Sequence, residues 1–514
     1  MTLKRIAAAL LLASSLTAGV VPMQALAGAD TNILVVGIGE EPTTLDPANG
    51  LSGGDIHYYY TIYDRLLAFD PQTLEPMPML AEAWAWENDN KTLVLNLRKG
   101  VKFHDGEDFN ANAVKTSMEF YKSSGKQADL NPVTAIDVRD DYTIALTLDR
   151  PYSALTAILM DRAGMIISPK AIADFGVEGV GRNPAGTGPF KVKAWAAGDK
   201  LELEAFPDYW NKDRIKLSGI EYRIIKNATT VVSALMAGQI DYVLSIDPVN
   251  LPVLNRNPNI EVKTQETIAS VVIANNTAIA PLDNKLVRQA FSYGIDRPAL
   301  AKIAYGGEVE ALPASLLVPP SYWPSTPSLD NHYTYDPEKA KALLAEAGHP
   351  NGVEIAICAN ANSGSPAPGQ KLVDLMREQL KPAGITLRGE MLATGSACIE
   401  LYNGQKAIAQ NLAGWSGRPT PFMTYAQTFT SYGAYHVSKE AFPGVDEAVA
   451  RLLETSDRDE QDKIYDELNA LWVDTVPWVS LYFQPRVYAQ SAALDGEVQN
   501  LMGKADVTDM FFKN

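Results

Sequence analysis

The sequence predicts an α/β protein of more than one domain, and three observations carry that reading. The chain has 514 residues, whereas a single hydrophobic core stops growing at roughly 250–300 residues. Between Asp336 and Leu387 helical and strand patterns alternate, the arrangement of parallel strands joined by crossover helices. Apolar side chains are 46% of the chain and charged ones 20%. That balance argues against intrinsic disorder and against a multi-span membrane protein.

The first segment stands apart. Lys4 and Arg5 precede an apolar run from Ile6 to Val21, and Ala25-Leu26-Ala27 follows. A positive start, a short apolar centre and small residues mark a secretory signal peptide, residues 1–27, cleaved after Ala27. The run is short for a spanning helix, and without a nearby Cys a lipid anchor is not supported. The whole chain carries 61 acidic and 44 basic residues, net -17. Removing Lys4 and Arg5 leaves 42 basic against 61 acidic residues, net -19. Such a chain is repelled by phosphate backbones, so nucleic acid is not an expected partner.

Ile33 to Ile38 reads as a buried strand, and Glu40 to Pro47, with two prolines, as a loop. Lys91 to Arg98 alternates, with Leu93, Leu95 and Leu97 on one face, and a turn follows at Asp105-Gly106. A helix is expected from Asn112 to Lys122 and a strand-like stretch from Asp137 to Leu148. Gly186-Thr187-Gly188-Pro189-Phe190 marks a tight turn. Leu286 to Tyr293 is amphipathic. Asp336-Pro337 opens a helix as N-cap and first residue, and Gly348 ends it. Strands at Val353–Cys358 and Ile385–Leu387 flank a second helix around Leu372 to Leu380. Two helices split near Asp457, and Trp478 to Phe483 is a late strand.

Catalytic chemistry is not indicated. None of His57, His104, His332, His349 and His436 lies within four residues of another His or of a Cys, so no zinc site, and no metal, is expected. Gly37-Ile38-Gly39 begins like a dinucleotide fingerprint but reaches Pro42 where a third glycine is needed. Gly50-Leu51-Ser52-Gly53-Gly54 fits GxSxG, but the preceding Asp46-Pro47-Ala48-Asn49 is loop chemistry and not the strand a nucleophile elbow requires. No catalytic residue and no cofactor is expected. Cys358 and Cys398, the two cysteines, can form a disulfide in an oxidising compartment; two buried thiols are the alternative.

Leu80-Ala81-Glu82-Ala83-Trp84 and Leu93 through Gly106 carry a specific pattern. Gly186-Thr187-Gly188-Pro189-Phe190, Asp208-Tyr209-Trp210, Val287-Arg288-Gln289-Ala290 and Tyr335 through Ala340 extend it. On these motifs the chain resembles the family 5 extracellular solute-binding proteins of bacterial ABC importers, the dipeptide, oligopeptide, glutathione and nickel-binding group. The resemblance covers about residues 32 to 490. It implies a two-lobed, hinged-trap periplasmic binding protein fold (type II) with a small additional subdomain. Lobe I is then expected at 28–266 and 483–514, with the subdomain at about 70–185, and lobe II at 267–482. It further implies a periplasmic monomer that captures a ligand between the lobes. The expected ligand is a short peptide or similar small anionic solute, and the expected partners are a membrane permease and its ATPase. A non-peptide solute such as an opine, a glutathione-like molecule or a nickel chelate is the alternative within the family. An exported hydrolase dependent on Ser52 is the alternative outside it.

The resemblance also assigns ligand contacts. Leu412 to Arg418 matches the ligand-facing strand, so Trp415, Ser416, Gly417 and Arg418 are expected at the ligand, with Trp415 as an aromatic wall. Arg418 departs from the Asp common in peptide binders, and its planar fork suits a carboxylate or phosphate. Asn360 and Asn362 follow the strand at 353–358, in the loop that often meets a peptide carboxylate. Facing them, Glu41 and Thr43 and the Tyr58-Tyr59-Tyr60 cluster are candidate contacts of lobe I.

Overall fold

The computed structural model describes residues 31–50, 52, 54–123, 129–360, 367–404, 408–498 and 500–513. The expected signal peptide lies outside these residues, as does Asn362.

The β-branched run Ile33–Ile38 forms a buried strand at the centre of a seven-stranded sheet. It pairs in parallel with Gly219–Ile224 on one side and Tyr242–Val243 on the other. Lys200–Ala205 and Phe190–Ala196 extend one edge, and Arg486–Ser491 and Ile260–Gln265 the other, all antiparallel. A second sheet has five strands. Val353–Asn360 runs parallel to both Ile385–Leu392 and Gln410–Trp415. Ser270–Asn275 lies antiparallel between Gln410–Trp415 and Trp478–Phe483.

Local chemistry explains the alternation over 336–387. Asp336 accepts the Lys339 amide at 2.9 Å at the start of the helix Pro337–Glu346. Gly348 leaves that helix at a φ of 91°, a left-handed value that glycine adopts without a Cβ penalty. The helix Gly369–Leu380 then connects the two parallel strands. Asp457 caps Arg458–Thr475 in the same way, accepting the Glu460 amide at 3.0 Å.

A third, antiparallel sheet orders Ala81–Glu87, Thr92–Leu97, Thr143–Leu148 and Val133–Asp140, with the helix Ala111–Ser123 beside it. The stretch 137–148 is therefore not one strand but most of a hairpin. Asp140 turns the chain, its carboxylate accepting the Tyr142 amide at 2.8 Å. The Gly186–Phe190 turn explains its own glycines. A Cβ on Gly186 would meet the Ile62 carbonyl oxygen at 2.2 Å, and one on Gly188 the Ile62 carbonyl carbon at 2.5 Å. His104, half-buried, donates its amide to the Gly186 carbonyl and points Nε2 at the Gly188 carbonyl, both at 2.9 Å. Burial lowers its pKa to about 4. The motif residue thus holds a turn.

The central strand feeds two cores from its two faces. Leu34, Val36 and Ile38 join the core that runs under the small sheet, and Val35 joins the core of the five-stranded sheet. The chain passes between the two large sheets twice, across 266–269 and across 484–485. The crossings are tied together. The Gln484 amide donates to the Ala269 carbonyl, and the Thr267 hydroxyl to the Gln484 carbonyl, both at 2.7 Å.

Candidate functional site

A cavity of about 470 Å³ opens between the two large bodies. The five-stranded side contributes the turn Ser416–Pro419 that follows the strand Gln410–Trp415, together with Gln427 and Tyr435. The facing side contributes Ile56, Tyr60, Asp129, Asp161 and Arg162, and Lys504 comes from the C-terminal segment. That segment is held by a buried ion pair, Arg486 to Glu497 at 3.1 Å. The Ile268 amide, donating to the Leu501 carbonyl at 2.9 Å, ties it to the first crossing.

The lining carries three cations, Arg162, Arg418 and Lys504, and two carboxylates, Asp129 and Asp161. Burial bears on several of them. It raises the Asp129 carboxyl and lowers both the Arg418 guanidinium and the Lys504 ammonium. In each case desolvation disfavours the charged form, and an opposite charge in the cavity would restore it.

Arg418 is oriented by neutral groups. It donates Nε to Gln427 Oε1 at 2.8 Å, and its Nη1 to the Gly417 carbonyl at 2.7 Å and to Ser416 Oγ at 3.3 Å. Its guanidinium lies over the Trp415 ring, 4.3 Å from the centroid. Among the described residues no carboxylate lies within ion-pair distance of it. The helix Pro421–Thr428, which starts in the segment Pro419-Thr420-Pro421, supplies Gln427.

Trp415 is only 5% exposed. Its ring meets Tyr435 and Trp478 edge-on at 5.4 and 5.6 Å. It forms the back of the site, behind Arg418. Gly417 has a φ of 71°, and a Cβ there would meet the Ile268 side chain at 2.5 Å. Its freedom serves the turn against the first crossing.

The other candidates lie elsewhere. Glu41 accepts Trp195 Nε1 and the Gly198 amide, each at 3.0 Å. Thr43 gives its amide and hydroxyl to Asp55, at 2.8 and 2.7 Å. Asn360 ends its strand opposite Leu392. None of these three lines the cavity. Tyr58 donates to the Glu40 carbonyl at 2.6 Å and Tyr59 to the Thr44 carbonyl at 3.0 Å. These two tyrosines clamp the 40–46 loop, and Tyr60 alone of the cluster reaches the cavity. Asp129, Asp161, Arg162, Gln427 and Lys504 had no motif to mark them, since each is polar by type and becomes a site residue only by where the fold puts it.

The facing bodies also touch beside the cavity. Arg458 pairs with Glu75 at 2.9 Å, and Ser153 Oγ donates to the Leu452 carbonyl at 2.9 Å. Among the described residues no three His, Cys, Asp or Glu side chains are grouped to hold a metal ion. Nor is any helix among them long and apolar enough to cross a membrane.

Comparison with known proteins fits this architecture. Residues 75–436 match the family described as bacterial extracellular solute-binding proteins, family 5 middle. The glutathione-binding protein GsiB of Shigella flexneri serotype 5b (strain 8401) is 30% identical over 488 residues, 90% of this chain and 91% of its own. HbpA2 from Haemophilus parasuis superposes with a TM-score of 0.82 at 23% identity, over 94% of this chain and 100% of that one. A dipeptide-binding protein from Pseudoalteromonas sp. SM9913, in complex with Met-Leu, gives 0.77 at 24%, over 93% and 100%. The two lobes and the cleft are those of a type II periplasmic binding protein. The chain belongs to family 5 of the bacterial extracellular solute-binding proteins.

Proposed function

We propose that this protein captures a small zwitterionic solute with a net negative charge, of the short-peptide or glutathione kind, between its lobes. The protein is a solute-binding component of an ABC importer and not an enzyme. The observation that carries the ligand class is the cavity lining, three cations against two carboxylates. A ligand with two carboxylates and one ammonium complements it, carboxylates toward Arg418, Arg162 and Lys504 and ammonium toward Asp129 and Asp161. Glutathione, named for the relative in Shigella flexneri, has that set of charges.

Ser416, Gly417 and Arg418 are the proposed contacts on lobe II, with Trp415 behind them. The proposed lobes are 28–266 with 483–514, carrying a subdomain over about 70–185, and 267–482. The two sheet crossings at 266–269 and 484–485 support that division. The signal sequence at 1–27 supports export to the periplasm, where the monomer delivers its ligand to a permease and ATPase. Ligand contacts made by both lobes favour the closed state, and closure is the event the permease reads.

A thermal-shift panel of glutathione, dipeptides and opines against the protein purified without denaturation tests this. A ligand at about 100 times its Kd adds about 2.7 kcal/mol of stability. Glutathione, or a dipeptide with one acidic side chain, is expected to raise Tm, and N-acetylated, ammonium-free analogues are expected to raise it less. No shift from any zwitterion, or equal shifts from the acetylated forms, rejects the proposal.

A further inference from the structure

The cations of the cleft are supported in different ways. Arg418 is held from within lobe II, by Gln427 and the Trp415 ring. It stands at the lip of a second cavity, of about 580 Å³, walled by Trp415, Trp478 and Tyr402 of the helix Gly395–Gly404. Lys504 instead rides on a loop of the C-terminal segment, and that loop is fixed at three points.

At its root, Val498 and Asp506 face each other in an antiparallel bridge. Arg214 pairs with Asp509 at 2.6 Å and with Asp506 at 3.5 Å, which binds the root to lobe I. At its tip, the loop lies against the first crossing. The Ile268 amide donates to the Leu501 carbonyl at 2.9 Å, and Gln265 gives its side-chain amide to the Asn500 carbonyl. Gly503 comes so close that a Cβ there would meet Thr267 Cγ2 at 2.9 Å.

The third point is Glu497. Its side chain is 1% exposed and does not line the cleft cavity. It pairs with Arg486 at 3.1 Å and accepts the Tyr242 hydroxyl, which in turn accepts from Arg486. Arg486 also donates Nε to the Leu244 carbonyl at 3.0 Å. It opens the strand that follows the second crossing, opposite Gln265, which closes the strand before the first. One carboxylate thus ties the loop to the place where both crossings leave lobe I. Desolvation offsets most of what such a pair contributes to stability, so what it can add is a defined geometry. Here that geometry is the placement of Lys504. Lys504 and Met502 both line the cavity, and the Lys504 ammonium lies within electrostatic reach of Asp161 and Arg162.

We propose that Glu497 is a positioning residue: it touches no ligand, and through the loop it anchors it holds Lys504 where that cation reads a second carboxylate on the ligand. The inference rests on the zwitterion reading above and adds what selects for the second anion.

Calorimetric titration with glutathione and with its glycine monoethyl ester, which lacks one carboxylate charge, tests it. Hydrogen exchange at the Ile268 amide of the ligand-free protein is the second readout. Wild type is expected to prefer glutathione by roughly 30-fold or more. Lys504→Met is expected to abolish most of that preference and to leave the Ile268 amide as protected as before. Glu497→Gln keeps the shape of the side chain and removes its charge. It is expected to speed exchange at Ile268 and to narrow the preference by about three- to thirty-fold. Combined with Lys504→Met, it should narrow it no further. Tyr242→Phe, which removes only the hydroxyl between Glu497 and Arg486, should act in the same direction to a smaller degree, and it decides the matter if Glu497→Gln does not fold. A merely structural Glu497 would weaken both ligands equally and leave their ratio unmoved. An unchanged ratio in Glu497→Gln or in Lys504→Met, or unaltered exchange at Ile268 in Glu497→Gln, overturns the inference. If wild type binds glutathione and the ester equally but N-acetylglutathione more weakly, the zwitterion reading stands and the inference alone falls. If none of the three binds, the zwitterion reading itself falls, and with it the role of Lys504.

Discussion

The two cavities that meet at Arg418 are built in opposite ways. The cleft cavity collects its charges from four distant stretches of chain, at Asp129, Asp161-Arg162, Arg418 and Lys504. Its lining comes from both sides of the cleft, which also touch at Arg458 and Glu75. The aromatic cavity is walled mainly by one sheet and one helix, which a disulfide joins. Its shape does not depend on closure to the same degree. The difference assigns tasks. On the function proposed above, groups of opposite charge brought together from two lobes would couple binding to closure, and a preformed wall within one lobe would select what fits.

Arg418→Ala should test that division most strongly. Truncating one partner of a buried charge pair costs about 2–5 kcal/mol, or roughly 30- to several-thousand-fold in Kd. Calorimetry with the tightest ligand of the panel measures it. An unchanged Kd would place the ligand's anion elsewhere and dissolve the contrast between the cavities.

Replacing both Cys358 and Cys398 by Ala acts on the other side. The bond spans 40 residues, and opening a loop of that length removes about 4 kcal/mol in the chain-entropy model. Scanning calorimetry should show the five-stranded lobe unfolding several degrees earlier. Selectivity among ring-bearing ligands should narrow, while binding of glycyl-glycine changes little. An unchanged Tm would mean that packing of Ala356 and Ile408 around the pair already holds the helix.

The pH dependence also separates the cavities. Burial raises the Asp129 carboxyl above its usual range. A ligand ammonium needs that carboxylate ionised, so affinity should fall as pH drops through the raised value, before ordinary carboxylates near about 3.9 titrate. The preference for aromatic over glycine side groups should stay flat over the same range, because no carboxyl group lines the aromatic cavity. Asp129→Asn should flatten the first curve. If it does not, another group faces the ammonium.

Arg458→Ala is expected to have the smallest effect. The pair with Glu75 leaves the side chains 45% and 52% exposed, and such pairs are worth about 0–1 kcal/mol. A loss of more than about five-fold in affinity would show that closure hangs on this contact instead of on the ligand.

Legibility in the sequence followed the range of the interactions involved. Asp336 as a cap, the break between helices near Asp457 and the central strand Ile33–Ile38 were readable, because each is decided by neighbours within a few residues. The stretch 137–148 was read as strand-like without its hairpin, since the turn between the two strands is made by Asp140 and not by the usual glycine. The resemblance placed Trp415 to Arg418 at the ligand, and the structure puts Ser416 to Arg418 on the cleft cavity with Trp415 behind them. Glu41 and Thr43 were named from the same resemblance, yet their polar atoms are bonded to Trp195, Gly198 and Asp55. A single sequence does not reveal which partner a carboxylate or hydroxyl finds.

The sequence by itself determined the α/β class, the family and the unusual positive charge at Arg418. These depend on local periodicity, motif spacing and residue type. Only the tertiary structure decided what faces Arg418. Lys504 reaches the cleft because a buried Arg486–Glu497 pair folds the C-terminal segment back. Trp415, Trp478 and Tyr402 become the walls of one cavity because two strands on either side of Ser270–Asn275 and a tethered helix converge there. Such meetings are set by long-range packing, which no pattern of nearby residues encodes on its own.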